Sequence, residues 1–232
     1  MRKALIFQGG WDGHEPLQVA QHFQSVLEKE GFQVVVSDTL DCLKDKEGLL
    51  AYDLLVPVWT MGEIEDGFVN NVSEAVAQGV GLAGCHGGMC DAFRQSVLWQ
   101  FMTGGNWVSH PGGDGVTYTV NIMPSSSSLV EDIEDFKVTS EQYYLHVDPA
   151  VQVLATTDFP IAEGHHTTNG VVRMPVAWTK RWGQGRVYYN SLGHHAETVE
   201  IDEVSEMMRR GFLWAAAGKS KAVSKEADNK EG

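Results

Sequence analysis

Apolar and polar residues along the 232-residue chain switch between short unbroken apolar runs and stretches with apolar positions three or four apart. Ala4-Leu5-Ile6-Phe7 is the first such run and predicts a buried strand. The loop Gln8-Gly9-Gly10-Trp11-Asp12-Gly13-His14 follows, then a helix that opens at Pro16 and carries Val19, Phe23, Val26 and Leu27 on one face. Gly31 ends it. Residues 33–37 predict a second strand and residues 53–59 a third, in which Pro57 lacks a ladder donor and is expected to end the pairing. A helix over residues 63–78 would bury Phe68, Val72, Ala75 and Val76, with Gly79 as its cap and residues 80–84 as a buried fourth strand. From Gly87-Gly88 one further helix is expected to reach about Met102.

Beyond Gly104 the period changes. Val116, Tyr118, Val120 and Ile122 alternate with polar residues, as in a half-buried strand, and residues 136–138 predict another. Residues 175–180 and 186–191 flank Trp182-Gly183-Gln184-Gly185, the turn of a hairpin. The last helix places Val204, Met207, Met208, Gly211, Phe212 and Ala215 at helical spacing. Strands that alternate with helices predict an α/β fold: a doubly wound, mostly parallel sheet with helices on both faces and a β-hairpin in the C-terminal half. Residues 1–217 read as a single domain, and residues 218–232, poor in apolar mass, as a disordered tail.

Charge narrows the partners. With 17 Lys plus Arg against 31 Asp plus Glu, the net charge of −14 repels phosphate backbones and anionic lipid surfaces, so neither nucleic acid nor membrane is expected. No apolar run approaches the roughly 20 residues needed to span a bilayer. Cys42, Cys85 and Cys90 are odd in number and lack zinc-ribbon spacing, which predicts a reducing, cytoplasmic setting. A homo-oligomer is the ordinary expectation for an enzyme of this size.

In open parallel sheets ligands bind beyond the carboxyl ends of the strands. His14 follows the first strand, His86 the fourth, and His194-His195 the hairpin, while His110 lies in a Gly-rich segment over residues 104–113 expected to be a loop. His14, His86, His110 and His194 are expected to surround one cleft, where neutral imidazoles can ligate a divalent metal such as zinc or act as general acid and base. His22, His146, His165 and His166 read as structural or solvent-exposed. Glu141, at the end of the strand over residues 136–138, is the preferred carboxylate, with Asp12, Glu15 and Asp91 as alternatives. Trp11, Trp59, Trp107, Tyr143 and Tyr144 sit in the same loops, where rings beside polar groups can stack on the apolar faces of a sugar.

The turn Ala83-Gly84-Cys85-His86-Gly87-Gly88 admits two frames for a strained strand-to-helix elbow. Cys85 at the apex would be a thiol nucleophile flanked by Ala83 and Gly87; His86 at the apex has glycine on both sides, at 84 and 88. The strained turn prefers the second frame.

These segments, with Gly104-Gly105, His110-Pro111, Glu141-Gln142-Tyr143, Pro175-Val176-Ala177-Trp178, Gly183-Gln184-Gly185-Arg186-Val187 and Leu192-Gly193-His194, resemble the trehalose-utilisation (ThuA-like) family over residues 3 to about 217. The resemblance implies a flavodoxin-like fold of the class I glutamine amidotransferase type. Those amidotransferases carry cysteine at the elbow; histidine stands there in ThuA-like sequences, so glutamine hydrolysis is not carried over. What it does imply is a role in using trehalose and related disaccharides. The expected activity is acid–base chemistry next to the carbonyl of a keto-sugar or keto-glycoside, as isomerisation, elimination or hydrolysis, with His86, His110, His194 and Glu141 as catalytic residues. His14 and the aromatics Trp11, Trp59, Trp107 and Tyr143 would bind the sugar. The alternatives are a metal-dependent hydrolase of a non-sugar substrate and a non-catalytic sugar-binding or regulatory protein.

Overall fold

The computed structural model describes residues 1–123, 127–166 and 168–228, with side chains as far as 219. Its strands and helices follow in the order β1 (Lys3–Gly10), α1 (Pro16–Lys29), β2 (Gln33–Ser37), α2 (Lys46–Leu49), β3 (Leu54–Thr60), α3 (Asp66–Ala77), β4 (Gly81–Cys85), α4 (His86–Cys90) and α5 (Val97–Thr103). Then come β5 (Gly105–Ser109), β6 (Val116–Ile122), β7 (Phe136–Ser140), β8 (Tyr144–Val147), β9 (Gln152–Phe159), β10 (Val172–Trp182), β11 (Gly185–Asn190), α6 (Ala196–Glu200) and α7 (Asp202–Asp228). One sheet has the order β2-β1-β3-β4-β11-β10-β9-β6-β7, and β5 pairs with β8 in a small second sheet.

The large sheet is mixed rather than mostly parallel. Strands β2, β1, β3, β4 and β11 pair in parallel, whereas β11, β10, β9, β6 and β7 pair antiparallel. The reversal begins at the hairpin between β10 and β11, because so short a turn can join only antiparallel neighbours. Strand period two distributes the core over both faces: Ala4 and Ile6 meet Val19 and Phe23 of α1 and Met207 and Phe212 of α7, while Leu5 and Phe7 meet Val69, Val72 and Val76 of α3 and Trp99 of α5. Each fully buried Val, Leu, Ile, Phe or Met among them contributes about 1.5–3 kcal/mol.

Several boundaries differ from the sequence expectation. Pro57 does not end β3: the ladder with β1 continues to Gly10 opposite Thr60, and only the ladder with β4 stops early, at Leu55 opposite Leu82. A missing donor interrupts one side of a strand, not both. The single helix expected up to Met102 is two, because Phe93 takes a left-handed φ of 50° and the Ser96 side chain caps α5 by accepting from the Trp99 backbone N–H. The segment expected as a loop around His110 contains β5; a Cβ on Gly105 would stand 2.9 Å from the Trp178 ring, so glycine marks close strand packing there. Helix α7 extends to Asp228 through part of the expected disordered tail, a stretch that has no Gly or Pro between 219 and 228 to stop it. Residues 229–232 lie outside the described residues.

Candidate functional site

In the parallel half the chain steps from β1 to β2 on one side, then crosses to β3 on the other, so the loops after β1 and β3 diverge above the sheet. Gly10 has φ 82° and lies so close to Thr60 that a Cβ would meet its carbonyl oxygen at 2.0 Å. This approach sets the next turn, Asp12–His14, against the end of β3, and His14 Nδ1 reaches Thr60 Oγ1 at 2.8 Å.

His86 follows β4 directly with φ 49°, the strained geometry of an elbow apex. Its flanking glycines are required: a Cβ on Gly84 would approach the Pro57 carbonyl at 3.0 Å, and one on Gly88 the Val58 Cα at 2.9 Å. Cys85 is buried beneath, and burial pushes its thiol up to about 12, so it is a packing residue in the second of the two frames. The His86 ring donates Nδ1–H to the Ser191 carbonyl at 2.7 Å, which leaves Nε2 as the free nitrogen of the neutral ring. Tyr143 stacks on it at 4.1 Å, and the Tyr189 hydroxyl donates to its carbonyl. His194, just beyond β11, places its ring 4.9 Å from His14 and 5.5 Å from His86.

Glu141 arrives from the opposite half of the sheet. It follows β7, its carbonyl accepts from the Tyr118 hydroxyl, and the neighbouring Gln142 side chain is tied to Thr157, Asp158 and Ile161. Its Oε2 stands 3.1 Å from His86 Nε2, 3.4 Å from His194 Nδ1 and 3.9 Å from His14 Nε2. Its Oε1 lies 2.5 Å from His110 Nδ1. Ligand-type atoms of His14, His86, His194 and Glu141, all buried, fall within 4.8 Å of one another. His110 stands outside that group, on the far oxygen of the carboxylate, which differs from the expected four-histidine ligand set.

Electrostatics separate these residues. Burial, reinforced by His86 and His194, lowers His14 to about 2. Burial also lowers His86 against the pull of Glu141. Glu141 is held well below the carboxylate range because the close ring nitrogens of His110, His194 and His86 outweigh its burial. His110 is raised by its bond to Glu141, and with a side chain 38% exposed it is the histidine of the four that solvent reaches.

The aromatics divide. Trp11 is exposed, with its ring 4.8 Å from His14. Trp107 lies 5.4 Å from His110, but the Arg94 guanidinium sits over its ring at 4.6 Å. Tyr143 is buried behind His86 and presents no open face. Trp59 folds against Gly9 and Gly62, and Tyr144 packs on Phe159. Of the alternative carboxylates, Asp91 is buried and paired with Arg94, and Glu15 accepts from the Ala196 backbone N–H. His22 bonds Ser205 and His166 bonds the Ala162 carbonyl, away from the cluster. A cavity of about 580 Å³ opens beside the His110 loop, lined by Ser109, Pro111, Tyr144 and Phe159, whereas the space behind His14 is only about 10 Å³. His110 itself and the Glu141 cluster do not line the larger cavity.

Sequence reasoning missed Thr60, Ser191, Tyr118, Gln142 and Arg94. Gln142 adjoins Glu141, and Thr60 ends a strand, so both had a positional signal; a backbone acceptor such as that of Ser191 has none.

A family model for trehalose utilisation, ThuA, matches residues 3–215. A ThuA-like protein of Bacteroides uniformis superposes with a TM-score of 0.73 at 18% identity, covering 92% of this chain and 91% of that one. One from Parabacteroides merdae gives 0.68 at 20%, covering 94% and 91%, and a cytoplasmic protein of Salmonella typhimurium 0.66 at 12%, covering 92% and 99%. These likenesses concern the fold. No curated protein matches the chain in sequence.

Proposed function

Because the chain belongs to the ThuA, trehalose-utilisation family, we propose that it is a sugar-handling enzyme that moves a proton next to the carbonyl of a keto-sugar or keto-glycoside. The observation that carries this reading is the buried carboxylate of Glu141 with four imidazoles around it. Nε2 of neutral His86 and Oε2 of Glu141, both acceptors, face each other at 3.1 Å, an arrangement that calls for a cation or a proton between them. Burial disfavours the proton on His86, so the donor set fits a divalent ion such as zinc, held by His14, His86, His194 and Glu141. When bound, such an ion supplies a Lewis acid beside a carbonyl oxygen.

The chain's own groups divide the remaining work. His110 is fixed by Glu141 through Nδ1, which leaves Nε2 for the substrate; its raised proton affinity and partial exposure suit a group that exchanges a proton with a carbon or oxygen next to the carbonyl. The Ser191 carbonyl fixes the tautomer of His86, and Tyr143 fixes its plane. Trp11, exposed beside His14, is the ring that stacks on the sugar. Incubation of the purified protein with trehalose and with its keto form, with and without chelator, tests the reading. A new product from the keto form, lost on chelation and restored by zinc, is expected. Saturable binding with no product from either sugar would replace the enzyme by a binding protein.

A further inference from the structure

One ion pair at the rim is not used by the chemistry above. Asp91 follows α4 and is 3% exposed, yet it accepts from Arg94 through both oxygens, Oδ1 from Nε at 2.5 Å and Oδ2 from Nη2 at 3.0 Å. The guanidinium lies over Trp107, whose ring is 5.4 Å from His110, and its charge acts on His110. The backbone carbonyl of Arg94 accepts from Gln100, which anchors the link between α4 and α5. One edge of the guanidinium is therefore committed to the carboxylate and one face to the aromatic ring. The two N–H groups of Nη1 and the second of Nη2 have no partner among the described residues, and the side chain is 49% exposed.

A buried carboxylate is costly to desolvate, and a pair of apolar residues would fill such a place at least as stably. A buried acid that holds a guanidinium flat, with donors left over, is instead the arrangement that presents a rigid fork to two neighbouring oxygens. We propose that Arg94 is a substrate-binding residue that clamps a vicinal pair of hydroxyls on the sugar, with Asp91 and Trp107 as the positioning residues that fix its plane. This rests on the sugar reading above and names the substrate feature that the site grips. The cluster around Glu141 addresses the carbonyl end; Arg94, which shares Trp107 with His110, would set the orientation of the ring.

Calorimetric titration of trehalose and glucose into zinc-loaded wild type, Arg94→Met and Arg94→Lys tests it without turnover. The expected result is binding by the wild type, weakened about tenfold or more in Arg94→Met. Arg94→Lys should recover little of it because it keeps the charge and loses the fork. Zinc affinity should stay at the wild-type value in both, which a general loss of structure would not allow; if Arg94→Met fails to fold, Arg94→Lys carries the comparison. Equal affinity in the variants, no sugar binding by the wild type, or a loss seen only with a carboxylate probe such as glucuronate overturns the clamp. Lost binding in the variants with no turnover of a keto-sugar by the wild type would leave the clamp standing and remove the proposed reaction.

Discussion

The two halves of the large sheet contribute opposite kinds of group to one site. The parallel half supplies His14, His86 and His194 from the carboxyl ends of β1, β4 and β11, all buried, two of them with lowered proton affinity and with one ring nitrogen bonded to Thr60 or Ser191. The antiparallel half and the small sheet beside it supply Glu141 and His110, whose mutual bond holds one as an anion and favours the cation on the other. Strand ends followed by tight turns give rigidity, and the region folded over them brings the charge. A site of this kind exists only along the seam, so experiments that strain one side at a time should separate fixed ligands from mobile protons.

The largest effect is expected from Glu141→Gln. Removing one member of a buried charged set costs about 3–5 kcal/mol, so zinc affinity measured by calorimetry should fall by roughly two to three orders of magnitude; an unchanged affinity would detach the antiparallel half from ion binding. On the parallel side His86→Ala should lose most of the zinc affinity and any turnover, while Cys85→Ser stays near wild type. Inactivation by the serine variant alone would restore the thiol frame. Gly87→Ala strains the same side without touching a polar group: the new Cβ would meet the His14 ring at 2.7 Å and Thr60 Cγ2 at 2.9 Å. Overpacking of this kind costs about 1–3 kcal/mol, to be read as a melting point several degrees lower together with weakened zinc binding.

The pH profile of the metal-free protein should show the two halves as two limbs. His14 is lowered from 6.5 to about 2, so the unfolded chain binds the extra proton, and the stability present above 6.5 is lost progressively as pH falls toward 2. Glu141, lowered from 4.5, loses its contribution in the same direction below that value. His110 is raised from 6.5, so its contribution is complete below 6.5 and disappears as pH rises through its folded value. His110→Gln should therefore flatten the alkaline limb of a melting-temperature profile and leave the acid limb in place. If both limbs survive, His110 does not couple to Glu141 in solution. The smallest effect is expected at the C-terminus, where truncation after Lys219 should move the melting point by less than about 2 °C, since Lys219 itself already ties α7 to the carbonyls of Leu50 and Tyr52.

Elements whose period was unbroken were legible in the sequence. Val19, Phe23 and Leu27 on α1, the alternation of β6 and the glycine turn between β10 and β11 all come from local periodicity or turn chemistry. The direction of strand pairing was not legible, because period two is the same in parallel and antiparallel neighbours, and so the extent of the antiparallel half went unseen. In the site, His14, His86 and His194 were readable because a parallel strand end is a predictable place. The side of Glu141 on which His110 stands, and the cover that Arg94 lays over Trp107, depend on how β5 and β8 fold across the seam. No residue pattern along the chain encodes that crossing.

Glu141 sits between β7, at the outer edge of the sheet, and β8, while its partners come from near both ends of the chain. A polypeptide that has formed only β1 to β4 can present His14 and His86, but it has neither the carboxylate nor His194. An ion gripped by all four would act as a reversible cross-link closing a loop of most of the protein, the kind of closure whose entropy an unfolded chain must surrender in full. Ion binding and completion of the antiparallel half would then be one cooperative event, and a chain that had stalled partway through folding would have no site to load.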